Sequence, residues 1–338
     1  MSQPWEPIET AIAEADREGG ALRYRGVDLA DLVGSSPFEA VFALLTQGPE
    51  LPDDGESVPI RTGDVRVDLQ AGLAALNLPP LYDRSDDEAL ADVGRAAAAA
   101  HTLVARAARD FVLPEVPPGT VAQGRTAAER FLLRWRGTAE PVAATALDAY
   151  WTCAAEHGMA ASTFTARVVA STGADAGAAL SAAVGALSGP LHGGAPARVL
   201  PVLAEVERTG DAPAVVRGIL DRGERLMGFG NRVYRAEDPR ARFLREVCAD
   251  LRSPRYEAAR ALQDAALALL RERRPDRAIE VNMEFWAAVV LDLVGVPAAT
   301  MPAVFACGRI AGWSAHVLEQ RGERPIRPTA RYVGTAAG

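Results

Sequence analysis

Three short segments of this chain combine histidine, glycine, acidic and arginine residues in ways that suit chemistry. They are Ala155-Glu156-His157-Gly158-Met159, Gly189-Pro190-Leu191-His192-Gly193-Gly194 and Met227-Gly228-Phe229-Gly230-Asn231-Arg232, the last closely followed by Asp238-Pro239-Arg240. His192 is the most informative. Glycine on one side lets backbone come near a ligand, and a helix expected directly after it would favour negative charge. A neutral imidazole there can donate to a developing oxyanion; the plainer reading is a solvent-facing turn histidine. Glu284 lies in the otherwise apolar stretch Val281–Leu291. It is either a half-buried acid paired with an arginine or a general base tuned by apolar surroundings. Arg309 stands among Phe305, Ile310 and Trp313, so its charge needs a partner from protein or substrate. Arg240 is either a carboxylate clamp or an ordinary surface arginine. His101 and His316 read as structural, because nothing near them in sequence suggests catalysis.

The composition narrows the chemistry further. The chain of 338 residues has 36 basic side chains, all arginine, so Schiff-base chemistry and the P-loop lysine are excluded. Anions must be held by arginine, histidine or backbone N–H groups, and the arginine fork matches planar carboxylates. A net charge of −8 argues against nucleic-acid binding. Cys153, Cys248 and Cys307 are few and widely spaced, and read as reduced core thiols rather than a zinc site or disulfide set. No apolar run approaches the ~18 residues that span a bilayer, and the start of the chain has no secretion pattern. A cytoplasmic location is expected.

The elements that must position these residues are almost all helices. Alanine and leucine dominate, and apolar residues recur at helical spacing. Ser36-Pro37-Phe38-Glu39 has the form of a capping box, and Thr46-Gln47-Gly48-Pro49 closes that helix. Val65–Leu69 alternates and predicts a short strand. Leu78–Asp87 and Leu113–Gly119 predict loops. The run Ala96–Ala100 suits a closely packed helix. Asp175, Asp211 and Ser253 are expected helix caps, and a helix should follow Ala195. Val281–Val294 and Pro302–Arg321 predict two strongly apolar helices.

Taken together, these segments resemble the citrate synthase family. Gly-Pro-Leu-His-Gly-Gly-Ala at 189–195 is similar to its central motif, and Met227–Arg235 with Asp238–Ala241 to the next. Ala161–Thr172 follows the first histidine as in the family, and His157 and His192 lie 35 residues apart, as in bacterial members. Leu22–Leu29 is similar to the family's opening segment, and Gly308–His316 and Ile326-Arg327-Pro328 to its closing ones. The resemblance covers nearly the whole chain and looks closest to the actinobacterial second citrate synthases, with 2-methylcitrate synthase as sibling. It implies an all-α fold, with a large dimer-forming domain over 1–193 and 296–338 and a small domain over 194–295 that closes on the substrates.

The resemblance also implies a division of labour. Oxaloacetate binds first, its carboxylates held by Arg240, Arg309 and the Arg327 of a second copy, with His157 assisting. Leu226, Met227, Gly228, Phe229 and Gly230 recognise the adenine of acetyl-CoA, and Arg235 sits near its phosphates. Glu284 takes a proton from the acetyl methyl and His192 stabilises the enol; no metal or permanently bound cofactor is implied. The sequence departs from the family pattern at three places. Asn231 stands where the family has a histidine that donates to the oxaloacetate carbonyl, so proton transfer from that position is lost. Glu284 replaces an aspartate, and Ala160 replaces an asparagine. The expectation is a citrate-forming condensation slowed by Asn231. Propionyl-CoA as the acyl donor, or a non-catalytic homologue that binds CoA or a dicarboxylate, are the alternatives.

Overall fold

The computed structural model describes residues 8–16, 18, 20–56, 58, 60–109, 113–189, 192–193, 196–230 and 233–334. Its architecture is all-helical apart from a small antiparallel sheet of Ala13–Ala15, Leu22–Tyr24 and Val27–Asp28, in register Ala13 with Tyr24 and Arg23 with Asp28. No described helix is long and apolar enough to cross a membrane.

The Met301–Arg321 helix is the centre of the packing. It is buried along most of its length and touches the helices Phe38–Thr46, Asp86–Ala108, Pro141–Ala154, Ala161–Ala170 and Ala176–Leu187. Two glycines a turn apart make this possible. A Cβ on Gly308 would stand 2.9 Å from Trp151 and 3.0 Å from Ala154. A Cβ on Gly312 would stand 2.1 Å from a Glu156 carboxylate oxygen and 2.4 Å from the Ala155 carbonyl. Gly312 also donates its N–H to the Ala155 carbonyl at 3.0 Å. Arg309 lies between these two glycines, so the close approach carries its guanidinium to the turn that bears His157.

Small residues serve the neighbouring helices in the same way. Ala96–Ala100 are all buried inside Asp86–Ala108. The Ala176–Leu187 helix, capped by Asp175, packs against Val65–Ala74 and Ala161–Ala170. Farther along, Val199–Thr209, Ala212–Asp221 and Tyr256–Arg273 contact one another, while Met283–Val294 rests on both Pro141–Ala154 and Pro239–Asp250.

Several local expectations are corrected. Val65–Leu69 begins a helix, Val65–Ala74, rather than a strand: Asp64 accepts from the N–H groups of Arg66 and Val67, and Leu69 and Leu73 bury one helical face. The capping box at Ser36 does not form. Phe38 N–H goes to Asp148 at 3.0 Å, and Glu39 accepts from Ala127 N–H at 3.1 Å, so tertiary bonds take both roles. A capping box does form at Ser85 and Glu88. Ser253 is not a cap; the Tyr256–Arg273 helix starts from Arg255 without a side-chain cap bond. Asp211 caps as expected, accepting from Ala214 N–H at 3.0 Å.

Replacing Gly312 with alanine is expected to cost about 1–3 kcal/mol, the usual penalty for overpacking. Gly119→Ala, where a Cβ meets nothing within 4 Å, is the control and should stay within about 0.5–1 kcal/mol of the parent. Urea denaturation of both variants reads the difference; equal midpoints would contradict the packing described.

Candidate active site

Three helix ends and two turns meet at one cleft of about 270 Å³, lined among others by His157, Ala160, His192, Arg225, Met227, Gly230, Asp238, Arg240, Glu284 and Arg309. Of the residues singled out in the sequence, His157, His192, Arg240, Glu284 and Arg309 line this one cleft. The sequence reading gave no role to Arg225, Asp238, Asn282 or Phe305, which also line the cleft.

His192 sits in the turn after the Ala176–Leu187 helix. Its N–H bonds the Gly189 carbonyl at 2.9 Å, and Gly193 N–H reaches back to Leu187 at 2.8 Å. A Cβ on Gly193 would stand 2.6 Å from the Leu187 side chain, so glycine is required there. The expected helix does not follow directly: a 3-10 turn over Pro196–Arg198 comes first, then Val199–Thr209. The orientation of His192 comes instead from Ser162, whose Oγ lies 2.8 Å from His192 Nε2. Trp313 Nε1 donates to the same Oγ at 3.3 Å. The tautomer that carries its ring hydrogen on Nδ1 accepts the Ser162 hydroxyl at Nε2 and leaves Nδ1–H free to donate. Burial, reinforced by Arg309, lowers the His192 pKa to about 4, so the ring is neutral at pH 7. Phe305 packs edge-on against it at 6.2 Å.

Glu284 opens the Met283–Val294 helix. The side chain of Asn282, the N-cap, accepts from Glu284 N–H at 3.1 Å. Burial raises the Glu284 pKa to about 7, against the pull of Arg240 and Arg225. A carboxyl poised there suits proton transfer near neutrality. The Asn-x-Glu spacing is the sequence signal that could have found this cap.

Arg240 is a buried residue, not a surface arginine. Asp238 caps the Pro239–Asp250 helix and holds Arg240 through Nε at 3.0 Å and a terminal nitrogen at 2.7 Å. Burial acts against the Arg240 cation, but Asp238 outweighs it and raises the pKa. Arg309 is equally buried and has no such carboxylate. Its Nε donates to the Ala154 carbonyl at 2.6 Å, its plane lies 5.0 Å from the Phe305 ring, and burial lowers its pKa despite Glu156. Neither terminal nitrogen of Arg309 bonds a described protein acceptor. Burial and Arg240 also hold the His157 pKa well below the ordinary value. Its Nε2 is buried without a partner among the described residues. The cleft therefore holds cationic and neutral nitrogens that have no partner among the described residues.

The glycine segment forms the wall between this cleft and a second, of about 750 Å³. Phe229 pairs with Val281 as a single antiparallel bridge, Gly230 N–H reaches the Glu280 carbonyl at 2.8 Å, and Asn282 Nδ2 reaches Gly230 O at 2.8 Å. Gly228 has φ +88°, and a Cβ there would meet Phe285 at 2.7 Å, so no other residue fits. Leu226, Phe229 and Gly230 line the second cleft with Arg225, Arg273, Arg274 and Arg277, whereas Met227 faces the first. Arg235 is exposed, pairs with Glu18 at 2.9 Å and lines neither cleft. Arg327 is exposed in the segment after the last helix and lines neither cleft of its own chain. Asn231 lies outside the described residues.

Comparison with known proteins gives a consistent picture. The family model "Citrate synthase, C-terminal domain" matches residues 5–62 and 53–329. A Mycobacterium tuberculosis protein provisionally named citrate synthase 2 is 59% identical over 337 residues, covering 96% of this chain and 90% of that one. The 2-methylcitrate synthase of Shewanella oneidensis is 32% identical, covering 97% of this chain and 92% of its own. The solved citrate synthase of Thermoplasma acidophilum, in ternary complex with carboxymethyl coenzyme A and oxaloacetate, superposes with a TM-score of 0.80 at 26% identity, covering 98% of this chain and 95% of that one.

Ala160 occupies the N-cap of the Ala161–Ala170 helix without a side-chain bond. Ala160→Asn is expected to stabilise the fold by about 0.5–2 kcal/mol, because asparagine satisfies a free N–H of the first turn. An unchanged or lowered unfolding midpoint would contradict it.

Proposed function

Because this chain belongs to the citrate synthase family, we propose that it condenses acetyl-CoA with oxaloacetate to give citrate and CoA, with the labour divided among the residues of the described cleft. The observation that carries the assignment is the presence of Glu284, its pKa raised to about 7, and His192, whose Nε2 is engaged by Ser162, in one cleft walled by Arg240 and Arg309.

In this reading the oxaloacetate carboxylates take the unused nitrogens of Arg309 and the open edge of Arg240. His157 Nε2 lies in the same cleft as a further polar contact. The acyl-CoA lies across the glycine wall. Its thioester reaches into the smaller cleft, and its nucleotide end occupies the larger one. There Arg225, Arg273, Arg274 and Arg277 face the phosphates, in place of Arg235. Glu284 removes a proton from the thioester methyl while His192 Nδ1–H donates to the thioester oxygen. Two partial steps thus replace formation of a free enolate, which water would not stabilise comparably. The carbon attacks the keto carbon of oxaloacetate, forming citryl-CoA, and water then cleaves the thioester. The alkoxide formed in the attack needs a proton. Asn231 donates a hydrogen bond but cannot give up a proton at neutral pH. We infer that this step is slower by about 10²–10⁴-fold than with histidine, the usual weight of a general acid. Cytoplasmic location and a homodimer, with Arg327 reaching the site of a second copy, complete the reading.

The test is thiol release with oxaloacetate and acetyl-CoA. The parent should release CoA above background, Glu284→Gln should lose at least about 10²-fold, and Asn231→His should gain. Absence of release with either acetyl-CoA or propionyl-CoA would overturn the reading; release with propionyl-CoA alone would reassign the acyl donor. The pH dependence follows from the sign of the Glu284 shift. The carboxylate is the active form, so kcat/KM should rise as pH rises through about 7, and an inflection near 4.5 would remove Glu284 as the base.

A further inference from the structure

Behind the cleft lies a chain of buried polar groups that the reaction scheme does not use. Glu156 and His316 are fully buried, and Arg167 and Gln320 nearly so. Glu156 Oε1 lies 3.2 Å from His316 Nε2, and His316 Nδ1 lies 3.0 Å from a terminal nitrogen of Arg167. A guanidinium only donates. His316 Nδ1 must therefore accept, and the ring hydrogen on Nε2 donates to Glu156. Arg167 continues through Nε to Gln320 Oε1 at 2.8 Å and through its terminal nitrogen to Glu319 at 2.5 Å. Gln320 then donates to the Arg324 carbonyl at 3.3 Å, and Ile326 N–H is held by Ser171 Oγ at 3.1 Å. The chain ends on the Arg324 carbonyl, three residues before Arg327, and the Ile326 bond to Ser171 fixes the same segment separately.

Its other end is the oxaloacetate cleft. Glu156 stands between Ala154, whose carbonyl holds Arg309 Nε, and His157. The same turn is pinned by the Tyr24 hydroxyl, which accepts from Glu156 N–H at 3.3 Å and faces the Thr152 carbonyl at 3.0 Å. Among the described carboxylates, Glu156 is the first to offset the buried charge of Arg309. A buried polar chain of this kind is costly when half satisfied and rigid when complete. Here every link from Glu156 Oε1 to Gln320 has a partner, while Glu156 Oε2 is buried without one among the described residues.

We propose that His316, with Glu156 and Arg167, is a positioning residue: it sets Arg309 and His157 for oxaloacetate and ties that setting to the segment bearing Arg327. This rests on the cleft being the oxaloacetate site. If Arg327 serves the neighbouring subunit, the same chain links the two sites of a dimer.

A graded series at position 316 tests it in the full-length protein. Glutamine carries an acceptor and a donor at the same mutual spacing as the two ring nitrogens. Asparagine is shorter and keeps the Arg167 link alone, and leucine keeps neither. His316→Gln should leave the oxaloacetate KM within about twofold, His316→Asn should raise it several-fold, and His316→Leu should raise it about 10–10²-fold, the scale of a displaced clamp. The acyl-CoA KM should stay within about twofold throughout, since the glycine wall is untouched. A merely structural histidine would lower the unfolding midpoint and the yield of active protein but leave the oxaloacetate KM of the folded variants flat; that outcome overturns the proposal. Should His316→Leu not fold, the comparison of glutamine with asparagine decides in the same way. A parent that releases no CoA sinks the functional reading instead, so the two failures are distinct.

Discussion

Two guanidinium groups inside a helical core, with one carboxylate in direct contact between them, impose the condition that the surrounding residues answer. Arg240 is satisfied by Asp238, while Arg309 has a carbonyl, an aromatic face and the more distant Glu156. Burying a cation without full compensation is costly. The chain meets that cost with apolar packing elsewhere, above all along the Met301–Arg321 helix. In the proposed function, an incoming dicarboxylate would supply what is missing.

The same field orders the titrations around the cleft. Burial and the neighbouring cations keep His157 and His192 neutral, and burial prevails over those cations to keep Glu284 half-protonated near pH 7. In the proposed function these titrations keep the donors as donors and the base available. This division requires that Glu284 be drier than the arginines can offset, which its place at the start of an apolar helix provides. It also explains why a longer carboxylate arm is tolerable in principle: the environment, rather than the side-chain type, sets its basicity.

Much of this was legible in the sequence because each site residue sits beside a local signal. Asp175 and Asp211 announced their helices, and the glycines of 189–194 and 228–230 announced turns. The helical class followed from alanine and leucine at helical spacing. What was not legible depended on distant partners. Ser36 was outbid by Asp148, 112 positions away in sequence, and the alternation at Val65–Leu69 lost to the Asp64 cap. Arg240 could not be told from a surface arginine until Asp238 and Met283 closed around it. Arg235 followed the family pattern but has its partner in Glu18, outside both clefts. His316 read as structural because its bonds run to residues some 150 positions earlier.

Asp238 does three jobs at once: it caps the Pro239–Asp250 helix, chelates Arg240 and receives Met283 N–H at 3.2 Å. It thereby rivets the start of one helix to the start of another. A hinge that kept this joint intact would carry Arg240 and Glu284 together. The clamp and the base would then reach a bound substrate in the same movement, and neither could be withdrawn while the other stayed in place.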